Sequence, residues 1–255
     1  MLAVIDVGNT NVAVGVGDGD RLDTRFRFAT RHSATADEFA FLLDGLLRLN
    51  GLSFDRIDGV CMASVVPTVT EVFTRMVGRY TNARLVVVGP GVRTGISVLY
   101  EPPRDVGADR IVNAVAARER WKTDLIVVDF GTATTFDAVT ARGEYLGGVI
   151  VPGVHVSLDA LALRTAKLPR VEVARPPAVI GRNTVHSIQS GSFFGYLSMV
   201  EGLVERMKRE LTGPVHVVAT GGLARLVCTD SPAIDAIDPD LTLDGLRLIW
   251  SRNVD

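Results

Sequence analysis

This sequence of 255 residues has only two cysteines, Cys61 and Cys228, which lie far apart in or beside apolar segments. The spacing excludes a CxxC metal site and a disulfide framework, and it indicates reduced, buried thiols. No apolar run approaches the roughly 18 to 20 residues that span a bilayer. No basic stretch precedes the first apolar residues, so we expect no signal peptide. These absences predict a cytoplasmic protein that contacts no membrane.

A strong charge of one sign is also missing. The 27 Lys and Arg residues nearly balance the 29 Asp and Glu residues, and no long basic run occurs, so we expect no nucleic-acid partner. The four histidines show no HxxxH spacing, and neither a GxxxxGK[ST] loop nor a GxSxG elbow is present, which gives a serine hydrolase or a P-loop protein no support. The composition, 47% hydrophobic and 22% charged, is that of an ordinary globular protein.

The first apolar segment is interrupted by a carboxylate. Residues 2–16 read "LAVIDVGNTNVAVGV", in which an aliphatic strand meets Asp6, a polar stretch follows, and an apolar run resumes at Val12. Asp, Gly and Asn are the usual residues of turns, so this segment alone favours a plain hairpin turn over a binding site.

The same pattern recurs in the second half of the chain. Residues 125–139 read "LIVVDFGTATTFDAV" and match residues 2–16 at an offset of 123, from position 2 to position 125. The residues equivalent at this offset are Asp6 and Asp129, Gly8 and Gly131, Thr10 and Ala133, and Asn11 and Thr134. Two Asp-x-Gly turns, one in each half, predict a duplicated domain whose two hairpins face each other.

A pair of such hairpins has a definite chemical use. A tight hairpin that ends in small polar residues offers backbone N–H groups and hydroxyls to phosphate. Two of them could hold the phosphate chain of a nucleotide from both sides. Carboxylates do not bind phosphate directly, so Asp6 and Asp129 are expected to hold cations that do.

Short motifs occur in a fixed order along nearly the entire chain. They are "DVGNTN" (6–11), "SVVP" (64–67), "VGADR" (106–110), "DFGTATTFD" (129–137), "GGVIVPG" (147–153), "AKLP" (166–169), "GRNT" (181–184), "SG" (190–191) and "TGGLA" (220–224). With these motifs the chain resembles the type III pantothenate kinases, which belong to the acetate and sugar kinase, Hsp70 and actin superfamily. Arg182 stands where Lys is more usual in the family, and this difference keeps the charge.

The resemblance implies an α/β fold of two duplicated actin-like (ribonuclease H-like) domains, 1–118 and 119–255. Each has a mixed sheet flanked by helices, and a cleft lies between them. It also implies an enzyme that transfers the γ-phosphate of ATP to the primary hydroxyl of pantothenate, the first step toward coenzyme A. A nucleotide-binding regulatory or accessory homologue with little kinase activity is the alternative. A chaperone ATPase of the Hsp70 kind is excluded by size, because nothing remains for a peptide-binding domain.

Asp109 is the candidate catalytic residue. It lies in "YEPPRDVGADR", residues 100–110, at the start of a predicted helix, where it would ordinarily complement the helix N-terminus. A kinase that acts on an alcohol needs an acceptor for the hydroxyl proton, and the resemblance implies that Asp109 is this base. The residues implied to contact pantothenate are Tyr100, Gly107, Ala108, Asp109, Arg110 and Thr184. Without the resemblance, Tyr100 would be a packed aromatic residue and Thr184 a helix cap.

The nucleotide site follows from the two hairpins and one glycine pair. The residues expected to bind ATP are Asp6, Val7, Gly8, Asn9, Thr10, Asn11, Val12, Ala13, Gly131, Thr132, Ala133, Thr134, Gly221 and Gly222, with Thr135 also in the phosphate cradle. Gly221 and Gly222 follow a predicted strand and could let the backbone approach the adenine and ribose, although a plain turn explains them almost as well. We expect Asp6 to orient Mg²⁺ through water. The resemblance implies that Asp129 holds a monovalent cation, K⁺ or NH₄⁺.

Hydrophobic spacing predicts helices at 37–52, 108–121, 186–211 and 241–249, and strands at 84–90 and 214–224. The apolar stripe of the 186–211 helix is wide enough to bury on two sides, and the interleaved small residues Gly191, Ser192, Gly195 and Ser198 permit close helix approach. One wide core face in a monomer explains this stripe equally well. The resemblance implies a homodimer in which Tyr100 and Thr184 reach the neighbour's Asp109.

Overall fold

The computed structural model describes residues 1–254, which contain both strands and helices throughout. In the first part of the chain these are β1 (Leu2–Val7), β2 (Asn11–Gly17), β3 (Leu22–Ala29), α1 (Ala36–Leu49), β4 (Gly59–Ser64), α2 (Pro67–Tyr80), β5 (Arg84–Val87), β6 (Ser97–Val98) and α3 (Ala108–Trp121). In the second part they are β7 (Asp124–Phe130), β8 (Ala133–Val139), β9 (Glu144–Pro152), α4 (Val154–Arg164), α5 (Thr184–Lys208), β10 (Val215–Gly221), α6 (Ala224–Cys228), β11 (Ala236–Ile237) and α7 (Leu241–Asn253).

The two sheets repeat one topology, which confirms the predicted duplication. The first has the strand order β3-β2-β1-β4-β5, with β1 antiparallel to β2 and parallel to β4. The second has the order β11-β10-β7-β8-β9-β6, with β7 antiparallel to β8 and parallel to β10. Read from the opposite edge, the strands β9-β8-β7-β10-β11 of the second sheet correspond to β3-β2-β1-β4-β5 of the first, and β6 is an additional edge strand. Each Asp-x-Gly turn therefore begins at the carboxyl end of the central strand of its sheet.

The two hairpins differ in length by one residue. Val7 pairs with Val12 in the first hairpin, whereas Phe130 pairs with Thr134 in the second, so the second turn is one residue shorter. Beyond the turn, Thr134 therefore corresponds to Val12, and the predicted equivalences of Thr10 with Ala133 and of Asn11 with Thr134 are wrong by one residue. Turn residues carry no apolar pattern that could have set the alignment there.

The core of the first sheet lies on both of its faces. On one face, the strand residues Ile5 and Val7 pack in a buried cluster with Phe39 of α1 and Phe73 of α2. The opposite face contains a second buried cluster, in which Leu2, Val4 and Cys61 pack with Leu243, Leu246 and Ile249 of α7. Because α7 supplies this second layer, β1 and β4 are apolar at nearly every position, as strands covered on both faces are.

The second sheet has its own core. Ile126, Val128, Phe136 and Val217 of its strands are buried with Val200 and Val204 of α5 and with residues of α6. Apolar residues three to four positions apart along α5 make this contact, and the same spacing predicted the helix.

The compact units of the chain differ from the predicted domain boundaries at the C-terminus. One unit comprises Met1–Ile96, Tyr100–Ala116 and the segment from Asp240 onward, and the other comprises Ser97–Leu99 and Ala117–Pro239. The division at 118/119 stays a prediction, but the closing helix α7 contacts β1, β2 and β4 of the first unit. Its apolar side chains bury a sheet face that is distant in sequence, a pairing that no local pattern indicates.

Most predicted elements are confirmed, with bounds shifted by a few residues. The predicted helices at 37–52, 108–121, 186–211 and 241–249 correspond to α1, α3, α5 and α7, and the predicted strands at 84–90 and 214–224 correspond to β5 and β10. Both cysteines are free and buried, and burial raises the pKa of each thiol to about 12, in agreement with reduced, unreactive thiols. Among residues 1–254, no helix has both the length and the apolar composition needed to cross a membrane.

Candidate functional site

Each central strand has a partly exposed aspartate one residue before its carboxyl end, between buried neighbours. In β1 only Asp6 is partly exposed, and in β7 Asp129 is partly exposed between buried Val128 and Phe130. Both carboxylates stand at the carboxyl end of a strand that has a parallel neighbour, which is where open α/β sheets bind ligands. The tips that follow, Asn9 to Asn11 and Gly131 to Thr132, are exposed.

The first tip is held in place by the end of β3 and the residues after it. The Thr30 hydroxyl donates to Gly8 O at 2.6 Å, and Thr30 N donates to Thr10 O at 2.9 Å. A ring nitrogen of His32 lies 3.2 Å from Asn9 O. Thr30 and His32 thus engage the loop carbonyls and fix the loop conformation, a role that the sequence pattern did not reveal because neither residue belongs to the hairpin motif.

The start of α3 places the Asp109 carboxylate in a narrow space. A Cβ at Gly107 would lie 2.5 Å from Asp109 Oδ1, so a larger residue at position 107 would displace this carboxylate. Asp109 Oδ1 accepts a hydrogen bond from Arg110 N at 2.8 Å. Burial raises the pKa of Asp109, and the hydrogen bond from Arg110 and its charge oppose that shift only in part. The carboxyl group is therefore a better proton acceptor than an ordinary aspartate.

The Asp109 segment and the first hairpin meet at Val65. Val65 N donates to Val7 O at 3.1 Å, and its Cγ1 lies 3.6 Å from the position of a Cβ on Gly107. The "SVVP" motif thus joins the end of β4 to both segments. Within the first unit, the structure brings together the predicted phosphate-binding turn and the predicted base, with Arg110 buried and Tyr100 partly exposed nearby in sequence.

The glycine pair after β10 lies against Asp129. Thr220 of β10 is beside Asp129 in the parallel ladder, and Gly221 has φ +91°. A Cβ at Gly221 would lie 2.6 Å from both Asp129 Oδ1 and the backbone N of Phe130. Gly221 therefore leaves room for the carboxylate, and Gly222 follows it in an exposed position. The structure brings these predicted nucleotide and cation residues together within the second unit.

The second hairpin tip is supported by the turn after β9. Gly153 N donates to Thr132 O at 3.0 Å, and a Cβ at Gly153 would lie 2.3 Å from that same oxygen. Ala133 and Thr134 begin β8. The Thr134 side chain is fully buried, and its hydroxyl has no hydrogen-bond partner among residues 1–254. Because side chains alternate along a strand, Thr134 shares its face with Phe136 and not with Asp129.

The start of α5 places Thr184 at the surface. Asn183 is the helix N-cap, and its side-chain oxygen accepts a hydrogen bond from His186 N at 2.8 Å. The reading of Thr184 as the cap is therefore wrong, since the asparagine before it is the better cap and takes that position. Thr184 and Arg182 are exposed at the edge of a cavity of about 710 Å³ between α4 and α5 in the second unit.

Asp6 and the first hairpin tip fit a magnesium ion that is bound together with the phosphates of a nucleotide. Within the described part of the chain, no three His, Cys, Asp or Glu side chains form a metal-binding group. Mg²⁺ commonly uses one or two carboxylates together with water and substrate phosphates. A single partly exposed carboxylate such as Asp6, beside an exposed tip of small polar residues, matches that mode of binding.

Known proteins match this sequence over nearly its whole length. A family model described as type III pantothenate kinase matches residues 2–206. A type III pantothenate kinase from Syntrophotalea carbinolica is 53% identical over 253 residues, covering 99% of both chains. One from Geobacter sulfurreducens is 51% identical over 253 residues, again covering 99% of both chains.

Two solved structures share the fold at low identity. A Campylobacter jejuni protein assigned to the Baf family of transcriptional activators has a TM-score of 0.61 and 18% identity, covering 98% of both chains. A Sinorhizobium meliloti protein assigned as a 2-dehydro-3-deoxygalactonokinase has a TM-score of 0.58 and 14% identity, covering 98% of this chain and 96% of that one. At these identities the likeness concerns the fold alone.

Proposed function

The chain belongs to the type III pantothenate kinase family, and we propose a role for each part of its site in the phosphorylation of pantothenate by ATP. Identity above 50% along 99% of the chain carries the assignment of the reaction, which is the first step toward coenzyme A. We propose an active kinase in preference to a regulatory homologue, because Asp6, Asp109 and Asp129 are all present. We propose that the enzyme works in the cytoplasm.

We propose that the two hairpin tips bind the phosphates of ATP. Both tips are exposed and consist of small residues whose backbone N–H groups can face an anion. The Gly8 and Gly131 positions lie close to backbone carbonyls of their own turns, at 3.1 Å from Asn11 O and 3.4 Å from Ala133 O for an added Cβ. ATP with Mg²⁺ supplies the transferable phosphoryl group and neutralises its charge.

Asp109 is proposed as the general base. Its carboxylate orients the attacking hydroxyl of pantothenate and accepts the proton late, as the phosphoryl group is transferred through a loose transition state. The pKa raised by burial favours this proton transfer relative to an ordinary aspartate. The residues proposed to bind pantothenate are Tyr100, Gly107, Ala108, Asp109, Arg110 and Thr184. Among them, Arg110 pairs with the substrate carboxylate through its planar guanidinium group.

The two strand-end aspartates are proposed as cation ligands. Asp6 orients Mg²⁺ through water, and Asp129 binds K⁺ or NH₄⁺. A monovalent cation beside Asp129 would offset the charge of the phosphates at the second tip. The Gly221 backbone, which packs against Asp129 Oδ1, would hold this carboxylate in one orientation.

We propose that two copies of the chain form a dimer through α5. Part of the surface of α5 is exposed and carries only small residues, spaced three or four apart, which places them on one face. These residues are Ser187, Gly191, Gly195 and Ser198. The face leads directly to exposed Thr184, and Val179 and Ile180 before the helix are 63% and 83% exposed. A second copy packed on this face would cover these apolar side chains and carry Thr184 toward the neighbouring substrate site.

Gly195→Leu is expected to convert the dimer to a monomer. No atom lies within 4 Å of a Cβ at Gly195, so leucine fits the single chain and adds about 1 kcal/mol of helix stability over glycine. The same side chain would stand between two closely packed helices. Sedimentation velocity would measure the mass, and circular dichroism would confirm the helix content.

Gly45→Leu is the matched control for this variant. Gly45 is also an exposed glycine in the middle of a helix, α1, with no atom within 4 Å of an added Cβ. We expect this control to keep the mass of the wild-type protein. A Gly195→Leu protein that remains dimeric would place the interface on another surface.

The proposed reaction predicts that ATP consumption depends on both pantothenate and K⁺. With Mg²⁺ present, ADP release should require pantothenate, because without it no positioned hydroxyl is available to take up the γ-phosphoryl group. NH₄⁺ should replace K⁺, whereas Na⁺ should not. A coupled assay of ADP release would measure this dependence. Turnover that ignores pantothenate would contradict the substrate assignment, and full activity in Na⁺ alone would contradict the role of Asp129.

A further inference from the structure

Asp137 is a buried carboxylate that the proposed mechanism does not use. It is fully buried in β8, and both of its oxygens accept hydrogen bonds from hydroxyl groups. Tyr145 Oη, also fully buried, donates to Asp137 Oδ1 at 2.6 Å. Thr135 Oγ1 donates to Asp137 Oδ2 at 3.2 Å. A carboxylate costs free energy to bury unless it is hydrogen-bonded, and these two hydroxyl groups offset that cost.

The register of β7 and β8 places this group beside the proposed cation ligand. Thr135 is directly opposite Asp129 in the antiparallel ladder, and directly opposed side chains lie on the same face. Asp137 is two residues further along β8 and shares that face. As a diagonal neighbour of Asp129 it lies at about 7 to 8 Å between Cα atoms. Thr135 therefore stands between two carboxylates, and unlike Thr134 it is partly exposed.

The direction of the Thr135 hydrogen bond determines what its oxygen can bind. A hydroxyl has one proton and two lone pairs, and Thr135 donates that proton to Asp137. Its oxygen then presents only lone pairs to any further partner. Such an oxygen can bind a cation but cannot donate a hydrogen bond to a phosphate. Asp137 thus converts Thr135 from a general hydrogen-bonding group into an acceptor.

We propose that Thr135 supplies a second oxygen ligand to the monovalent cation at Asp129, and that Asp137, held by Tyr145, is the positioning residue that makes it one. The inference rests on the proposed binding of that cation by Asp129. This proposal assigns Thr135 to the cation site, whereas the sequence predicted it in the phosphate cradle. Hard cations such as K⁺ prefer ligands of this kind, carboxylate and hydroxyl oxygens.

The test compares Thr135→Val, Asp137→Asn and Tyr145→Phe for their response to K⁺. Thr135→Val and Asp137→Asn should each raise the K⁺ concentration for half-maximal activity by roughly tenfold or more, the usual effect of losing a ligand's support. Tyr145→Phe should have a smaller effect in the same direction. A second measurement uses the protein in the absence of pantothenate. K⁺ or Tl⁺ should raise the melting temperature of Thr135→Val and Asp137→Asn least, and that of Tyr145→Phe less than that of the wild-type protein, because a bound ion stabilises only the folded state.

Thr140→Val is the matched control. Thr140 also donates its hydroxyl proton to a carboxylate, Glu144 Oε2, at 2.9 Å, but it follows the far end of β8. We expect its cation response to equal that of the wild-type protein, which separates the proposed role from a general loosening of the hairpin.

The outcomes separate this inference from the function on which it rests. A wild-type K⁺ response in both Thr135→Val and Asp137→Asn overturns the inference. If Asp137→Asn does not fold, Thr135→Val alone decides, since its side chain is partly exposed and valine has the same shape. If Asp129→Ala keeps the full K⁺ response, then the proposed cation site is wrong, and the inference falls with it.

Discussion

Asp109→Asn is expected to lower kcat by roughly 100-fold or more, the usual scale for a lost general base, while the Kd for ATP stays nearly unchanged. The amide keeps the shape of the carboxylate, and its oxygen can still accept the hydrogen bond that Arg110 N donates at 2.8 Å. It cannot accept the proton of the attacking hydroxyl. Steady-state kinetics and direct measurement of nucleotide binding would separate the two effects.

The pH profile provides an independent check on the same residue. A base acts only when deprotonated, so kcat/KM should fall as the pH drops through the pKa of Asp109. Since burial raises this pKa, the fall should occur at a higher pH than for an ordinary aspartate, which titrates near about 3.9. The folded state also binds this proton more tightly than the unfolded state. Its stability should therefore decrease as pH rises from the unfolded pKa through the folded one, and Asp109→Asn should remove that loss.

Asp105→Asn is the control for this prediction. Asp105 is an exposed aspartate four residues before Asp109, in a short 3₁₀ turn, and its replacement should leave kcat and the pH profile unchanged. Wild-type turnover in Asp109→Asn would mean that Asp109 serves only the start of α3.

Two inactive variants, Asp109→Ala and Thr184→Arg, are expected to recover activity when mixed. In the proposed dimer each substrate site uses Asp109 from one chain and Thr184 from the other. A mixed dimer then contains one site with both lesions and one site with neither. Random exchange places half of the chains in mixed dimers, so activity should return to about a quarter of the wild-type value. The two proteins would be partially denatured together, refolded and assayed.

The mixture of Asp109→Ala with Asp109→Asn is the control, because two lesions at one position cannot complement each other. Subunit exchange would be verified with a tagged chain and mass measurement. If exchange is complete and the first mixture stays inactive, each chain builds its own substrate site, and the reach of Thr184 across the dimer is wrong.

The duplicated architecture could be read from the sequence because its signals are local. In each half, a buried strand is interrupted by Asp-x-Gly, and the apolar runs on both sides of Asp6 and Asp129 predict a hairpin. The helix over 108–121 matched α3 at both ends, since Gly107 interrupts the chain before it and apolar spacing continues to Trp121. Both strand-end carboxylates were therefore identifiable before any tertiary contact was known, whereas Asp109 was identified as the candidate base only through the resemblance to the family.

Other features depended on contacts between residues that are distant in sequence. The shorter second turn appeared only when Phe130 paired with Thr134, and Thr30 reached the first tip only through the pairing of β3 with β2. The cluster of Asp137, Tyr145 and Thr135 likewise requires the register of β8 with β9, and its position beside Asp129 requires the register of β7 with β8. Strand register and side-chain direction are set by long-range hydrogen bonds and by burial of one face. Local patterns therefore determined which residues could act, and tertiary pairing decided which side chains face the same site.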